Sequence, residues 1–123
     1  MTIIDAIGQI NNLKQNTYSQ NQKIDWLSRL EALVKLLVID THEGGESITF
    51  DGFTPETDLN TRLIMPEPFD QAYIYWLEAQ IHYANEDIDM YNSAITMFNT
   101  AFDSFKAYYK QTHVPKNCGR FRF

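Results

Sequence analysis

The chain has 123 residues, of which 44% are hydrophobic and 21% charged, and its net charge is −6. This size and composition predict a single globular domain with a core of its own. They exclude a disulfide within the chain, because Cys118 is the only cysteine, and a membrane span, because the most apolar run, Leu33–Ile39, is too short.

The N-terminal half predicts two helices. Thr2 is placed to cap the first, whose apolar stripe comprises Ile3, Ile7, Ile10 and Leu13, and Ser19 is placed to cap the second. We expect the second helix to end near Thr41. Its apolar stripe comprises Ile24, Leu27, Leu30, Val34 and Leu37, widened by Trp26, Leu33 and Leu36.

Helical periodicity is lost over residues 43–65, where glycine and proline accumulate. Ile48–Phe50 has strand character and is followed by a turn signal, so the segment predicts a loop or a small β-hairpin inserted between helices. The apolar run Leu63–Met65 is expected to pack against the helices.

The second half predicts a long antiparallel helical hairpin, and 13 of the 17 aromatic residues lie at or after Phe69. Pro68 suits the first turn of the third helix, and Asn85 suits the cap of a fourth helix that runs from Glu86 to Thr112. That fourth helix would be about 40 Å long. The predicted hairpin core comprises Tyr73, Trp76, Leu77, Tyr91, Phe98, Phe102 and Phe105.

Pro115 ends the helical pattern, so we predict one helical domain over residues 1–114 and a C-terminal arm over 115–123. The arm is basic and aromatic, and its candidate binding residues are Lys116, Arg120, Phe121, Arg122 and Phe123. Charge supports this interpretation, because residues 40–103 carry a net −12 and residues 104–123 a net +5. A basic arm and an acidic body attract each other in one orientation of two copies.

Motifs for catalysis, phosphate binding and metal binding are not found in the sequence, so we expect no enzyme activity, cofactor or metal. Glu78 and His82 lie one helical turn apart, but the di-metal pattern of helical bundles requires Glu-x-x-His on two helices. The aromatic stripe of the fourth helix predicts core packing, because a base-stacking surface would interleave basic residues where this stripe has acidic ones.

The chain resembles the head–tail connector (adaptor) proteins of tailed bacteriophages, in particular small connectors from phages of low-GC Gram-positive hosts. The resemblance covers about two-thirds of the chain and depends on the order of packing and capping residues. These are Leu63-Ile64-Met65-Pro66, Pro68-Phe69-Asp70, Tyr73, Trp76-Leu77, Ala79, Asn85-Glu86, Tyr91-Asn92, Phe98-Asn99, Phe105 and, more weakly, Trp26-Leu27-Ser28-Arg29-Leu30.

The resemblance implies a structural protein of the virion neck, assembled in the host cytoplasm. Such proteins form a ring, usually of twelve subunits, between the portal and the tail or stopper protein, and DNA passes through the ring without specific binding. They often reach the portal through a C-terminal arm. Three alternatives stay open: another neck or tail-completion (stopper) protein, a non-viral helical interaction module, and a small metal-dependent enzyme using Glu78 and His82.

Overall fold

The computed structural model describes residues 1–13, 16–42, 44–45 and 50–113, and these form the predicted all-α fold of four helices. The helices are α1 (Ile3–Leu13), α2 (Gln20–Val34), α3 (Gln71–Ala84) and α4 (Ile88–Thr112). A five-residue π-helical segment, Lys35–Ile39, extends α2. The described residues contain no β-strand, only an isolated antiparallel bridge between Thr2 and Arg62.

The first two helices begin where their capping residues predict. The Thr2 amide donates to the Asp5 carboxylate (3.1 Å), and the Asp5 amide donates to the Thr2 hydroxyl (3.3 Å). At α2, the Gln22 amide donates to Ser19 Oγ (3.1 Å). In each case a side chain satisfies an amide that has no partner within the helix, which fixes where the helix starts.

The predicted starts of α3 and α4 are wrong by two or three residues. Pro68 lies in the turn before α3, where the Phe69 amide donates to the Pro66 carbonyl (2.8 Å). Asn85 is the C-cap of α3, and the N-cap of α4 is Asp87, whose carboxylate accepts from the Met90 amide (3.3 Å). Glu86 between them adopts a left-handed φ of 60°, and this residue reverses the chain.

The π-helical segment changes which side chains face the core at the end of α2. Its wider turn is closed by the Asp40 amide donating to the Lys35 carbonyl (2.8 Å), and it buries Val38 and Ile39. The predicted stripe is therefore wrong at Leu36 and Leu37, whereas Leu33 lies in the regular part of α2 and is exposed independently of the π-helical turn. Leu33, Leu36 and Leu37 are 39%, 63% and 51% exposed.

Helix α3 is the central element of the fold, because it packs against α1, α2 and α4. Its buried residues are distributed around its whole circumference, as expected for a helix with neighbours on every side. They are Ala72, Tyr73, Ile74, Leu77, Ala79, Ile81 and His82. By contrast, α4 buries one narrow stripe, consisting of Ala94, Phe98, Phe102, Phe105 and Tyr109.

Aromatic contacts run along the α3–α4 seam. Trp76 lies against Phe98 (5.2 Å between ring centroids), and Phe98 stacks on Phe102 (5.5 Å). Phe69, two residues before α3 begins, contacts Phe105 (5.9 Å between ring centroids). These contacts and the area that they bury hold the two helices together.

The loop that precedes α3 encloses the start of α1. The Ile3 amide donates to the Thr61 carbonyl (3.1 Å), and the Leu63 amide donates to the Met1 carbonyl (3.0 Å). Leu63 and Met65 are buried, as predicted for this apolar run. Most of the predicted strand Ile48–Phe50 lies outside the described residues. No helix in the described ranges is long and apolar enough to cross a membrane.

Truncating a buried side chain of the α3–α4 seam should destabilise the fold. Phe105 is 1% exposed, so Phe105→Ala should lower the free energy of unfolding by about 3–5 kcal/mol. Met97, on the outer side of the same helix, is 49% exposed, and Met97→Ala should change the free energy of unfolding by about 0.5 kcal/mol or less. Urea unfolding measures both values, and similar losses in the two variants would contradict the assignment of the core.

Candidate functional site

Most of the predicted hairpin-core residues are buried in the structure. Tyr73, Leu77, Phe98, Phe102 and Phe105 are buried. The other two, Trp76 and Tyr91, are partly buried. The Trp76 indole also donates to the Trp26 carbonyl (2.9 Å) and so ties α3 to α2. The predicted arm residues, Lys116, Arg120, Phe121, Arg122 and Phe123, lie outside the described residues.

The outer face of α4 carries a row of hydroxyl groups that donate hydrogen bonds to backbone carbonyls of the same helix. Ser93, Thr96, Thr100 and Ser104 each donate to the carbonyl four residues earlier, at 2.8–3.3 Å. No Lys or Arg occurs between Arg62 and Lys106. From Ile88 to Phe105 this face therefore presents hydroxyl acceptors and no cations, an unfavourable surface for holding phosphate groups.

The first cation of α4 is partnered. Lys106 Nζ lies 3.1 Å from the Asp103 carboxylate and 5.2 Å from the centroid of the Phe102 ring. It therefore contributes less positive potential to the outer face than an unpaired lysine would.

The connection between α3 and α4 forms an acidic corner of the molecule. Glu86, Asp87 and Asp89 are all exposed there. Next to them, a recess of about 390 Å³ is lined by Asn16, Thr17, Tyr18 and Asn85. The Tyr18 hydroxyl donates to Asn85 Oδ1 (2.6 Å), which ties this corner to the start of α2.

A buried carboxyl group lies where α2, α3 and the loop meet. Glu31 is 1% exposed, and its Oε2 accepts from the Ile64 amide (2.9 Å). Its Oε1 accepts from the Tyr73 hydroxyl, whose oxygen in turn accepts from the Met65 amide (2.8 Å). One carboxyl and one phenol thus satisfy two loop amides and join three parts of the fold.

Burial raises the pKa of Glu31 to about 7, although the hydrogen bonds from Tyr73 and Ile64 act in the opposite direction. Burial also raises the pKa of Tyr73, and the negative charge of Glu31 adds to that effect. The phenol therefore stays protonated as a donor, while the carboxyl titrates close to neutral pH.

Sequence reasoning missed Glu31. A signal for it existed, because Glu31 lies four residues after Leu27 and three before Val34, which places it on the buried stripe of α2. An acidic residue at such a position indicates a buried, hydrogen-bonded carboxyl or a break in the stripe. The partner phenol, Tyr73, was predicted only as a packing residue.

The Glu78–His82 pair lies on one side of α3. His82 Nε2 is 3.5 Å from Glu78 Oε1, and this buried nitrogen has no hydrogen-bond partner among the described residues. In the described part of the chain, no three His, Cys, Asp or Glu side chains lie close enough to hold a metal ion. The pair therefore offers two groups where a protein metal site typically has three or four.

Comparison with known proteins gives no relative: no family model, no curated protein and no solved structure matches the chain.

The Glu31 carboxyl should make stability depend on pH. Its pKa is raised from 4.5 to about 7 on folding, so its contribution is complete below pH 4.5 and is lost as the pH rises to 7. In Glu31→Gln a neutral amide of the same shape replaces the carboxyl and does not titrate. Relative to this variant, the wild type should lose up to about 3 kcal/mol between pH 4.5 and pH 7.

Urea unfolding of both proteins across this pH range measures the difference. Glu56→Gln, at an exposed position, is the matched control and should follow the wild type at every pH. A difference between Glu31→Gln and wild type that stays constant with pH would show that Glu31 is not protonated near neutrality.

Proposed function

We propose that this chain is a structural protein of the phage virion neck, a head–tail connector that forms a ring between the portal and the tail and extends the DNA channel. The resemblance to connectors supports the class. The observation that carries the proposal is the shape and chemistry of α4, which has 25 residues but only one narrow buried stripe.

Helix α4 offers a long face for assembly. At about 1.5 Å per residue it is about 37 Å long, and the large hydrophobic side chains on its otherwise mostly polar exposed surface are Ile88, Met90, Met97 and Tyr108. The aromatic residues that could bind a small ligand are instead used in the seam. A face of this length is suited to contact neighbouring subunits in the ring or to line the channel.

The chemistry of this face suits the passage of DNA. Because its hydroxyl protons are already donated to carbonyls and no cation occurs before Lys106, DNA phosphates find little to bind. Weak binding to the wall would let a duplex slide through a ring. In this role the protein needs neither a reaction nor a cofactor.

The proposed partners are further copies of the chain in a ring, with twelve as the expected number, the portal on one side and a tail or stopper protein on the other. DNA is a passing partner only. The arm residues Lys116, Arg120 and Phe121–Phe123 are the proposed contact to the portal or to a neighbouring subunit.

One observation favours an alternative function. Leu33, Leu36 and Leu37 form an exposed apolar row at the end of α2. Such a row also suits a helical module that binds another protein through this face. A module of this kind would remain monomeric or dimeric and would not bind a portal.

Electron microscopy and light scattering of the purified chain, alone and with a portal from the same phage, test the proposal. We expect rings whose symmetry matches the portal and a complex that carries both proteins. The mass of the complex gives the copy number. A chain that stays monomeric or dimeric at every concentration and does not bind the portal would contradict the connector function.

A further inference from the structure

The corner between α3 and α4 combines exposed apolar side chains with carboxylates. We call it the corner patch, and it consists of Tyr83, Glu86, Asp87, Ile88, Asp89 and Tyr91. Tyr83 is 63% exposed and Ile88 55% exposed, so two large apolar side chains lie at the surface beside these carboxylates.

The backbone and the rings of the corner patch are held in place. The Tyr83 and Tyr91 rings are 5.5 Å apart between centroids, and Ile88 lies one turn before Tyr91 on the same side of α4. The Glu86 amide donates to the Tyr83 carbonyl (3.0 Å), and the Asp87 amide donates to the His82 carbonyl (2.9 Å). The patch is thus a preformed apolar surface bordered by three carboxylates.

The chain itself contains a segment of complementary chemistry. Residues 120–123 read Arg-Phe-Arg-Phe, with two guanidinium groups and two phenyl rings in four residues. Guanidinium groups pair with carboxylates, and phenyl rings lose contact with water against tyrosine and isoleucine. At the leucine row of α2 the neighbouring carboxylate of Asp40 is already paired with Lys35 (2.6 Å), so this complementarity favours the corner patch.

The distance that the Arg-Phe-Arg-Phe segment must span indicates whether it binds the corner patch of its own chain or of a second copy. Ile88 and Thr112 lie at opposite ends of α4, 24 residues apart, or about 36 Å. Phe121 is eight residues beyond His113 and reaches at most about 29 Å when fully extended. The last residue, Phe123, extends at most about 36 Å and the first residue of the segment at most about 25 Å, so the four residues cannot all lie on the corner patch of their own chain.

We propose that the corner patch binds the Arg120–Phe123 segment of a second copy of this chain. The contact joins one end of α4 to the opposite end of α4 in a neighbour, so it is head-to-tail. Contacts of this type close into rings or continue as filaments. The inference rests on the proposed function in that it supplies the subunit contact of the ring.

Charge exchange tests the contact on the full chain, with the dissociation constant of self-association measured by analytical ultracentrifugation. Glu86→Lys with Asp89→Lys reverses the patch, and Arg120→Glu with Arg122→Glu reverses the segment. Each double variant alone should associate at least tenfold more weakly than the wild type. An equimolar mixture should regain association, because every patch then meets a segment of opposite charge.

The matched control is Asp51→Lys with Glu56→Lys, which makes the same change of charge at exposed positions outside the patch and should associate as the wild type does. Circular dichroism confirms that each variant is folded. Wild-type association should also weaken from 50 mM to 500 mM salt, because the ion pairs are screened.

Three results would overturn the contact: a wild-type chain that stays monomeric, patch variants that associate normally, or a mixture that does not recover. Binding to the portal is scored separately with the same variants. If the chain binds the portal but the charge-exchange mixture does not associate, the connector function stands and the proposed contact is wrong. If the mixture associates but the chain does not bind the portal, the contact stands and the connector function is wrong.

Discussion

The burial of α3 on every side is the constraint on which the rest of the structure depends. A helix with apolar side chains around its whole circumference is stable in water only if neighbours cover all of it. Helices α1 and α2 cover part of it, and α4 covers the remainder. Helix α4 packs on α3 through one stripe, so its other side stays exposed. That exposed side is the proposed assembly surface, which links the core to the proposed function.

The polar network around Glu31 shows how the loop before α3 is held to this core. A buried carboxyl is costly unless its oxygens are hydrogen-bonded. Here the Ile64 amide and the Tyr73 hydroxyl bind both oxygens, and the Met65 amide completes the set. The loop is therefore fixed through specific hydrogen bonds as well as through Leu63 and Met65 in the core. Titration of the same carboxyl makes this attachment sensitive to pH.

Periodicity predicted most of the fold, and its failures have local causes. The stripe of α4 was predictable because Phe98, Phe102 and Phe105 repeat at helical spacing without interruption. Leu36 and Leu37 were misassigned because a π-helical turn changes the phase, and no residue in the sequence marks that turn. The position of Glu31 on the buried stripe was visible in the sequence, but its pairing with Tyr73 was not, because the phenol is 42 residues away in the chain.

Amide hydrogen exchange of the full chain, at a concentration where it is monomeric, tests the central claim that α3 is the covered axis of the fold. The amides of Ile74–Ile81 should exchange only through global unfolding, with a free energy equal to that from urea unfolding. The amides of the first turns of α4 should exchange faster through local opening. If α3 exchanged by local opening while the start of α4 was fully protected, α4 would be the covered helix, and its outer side could not serve as the assembly surface.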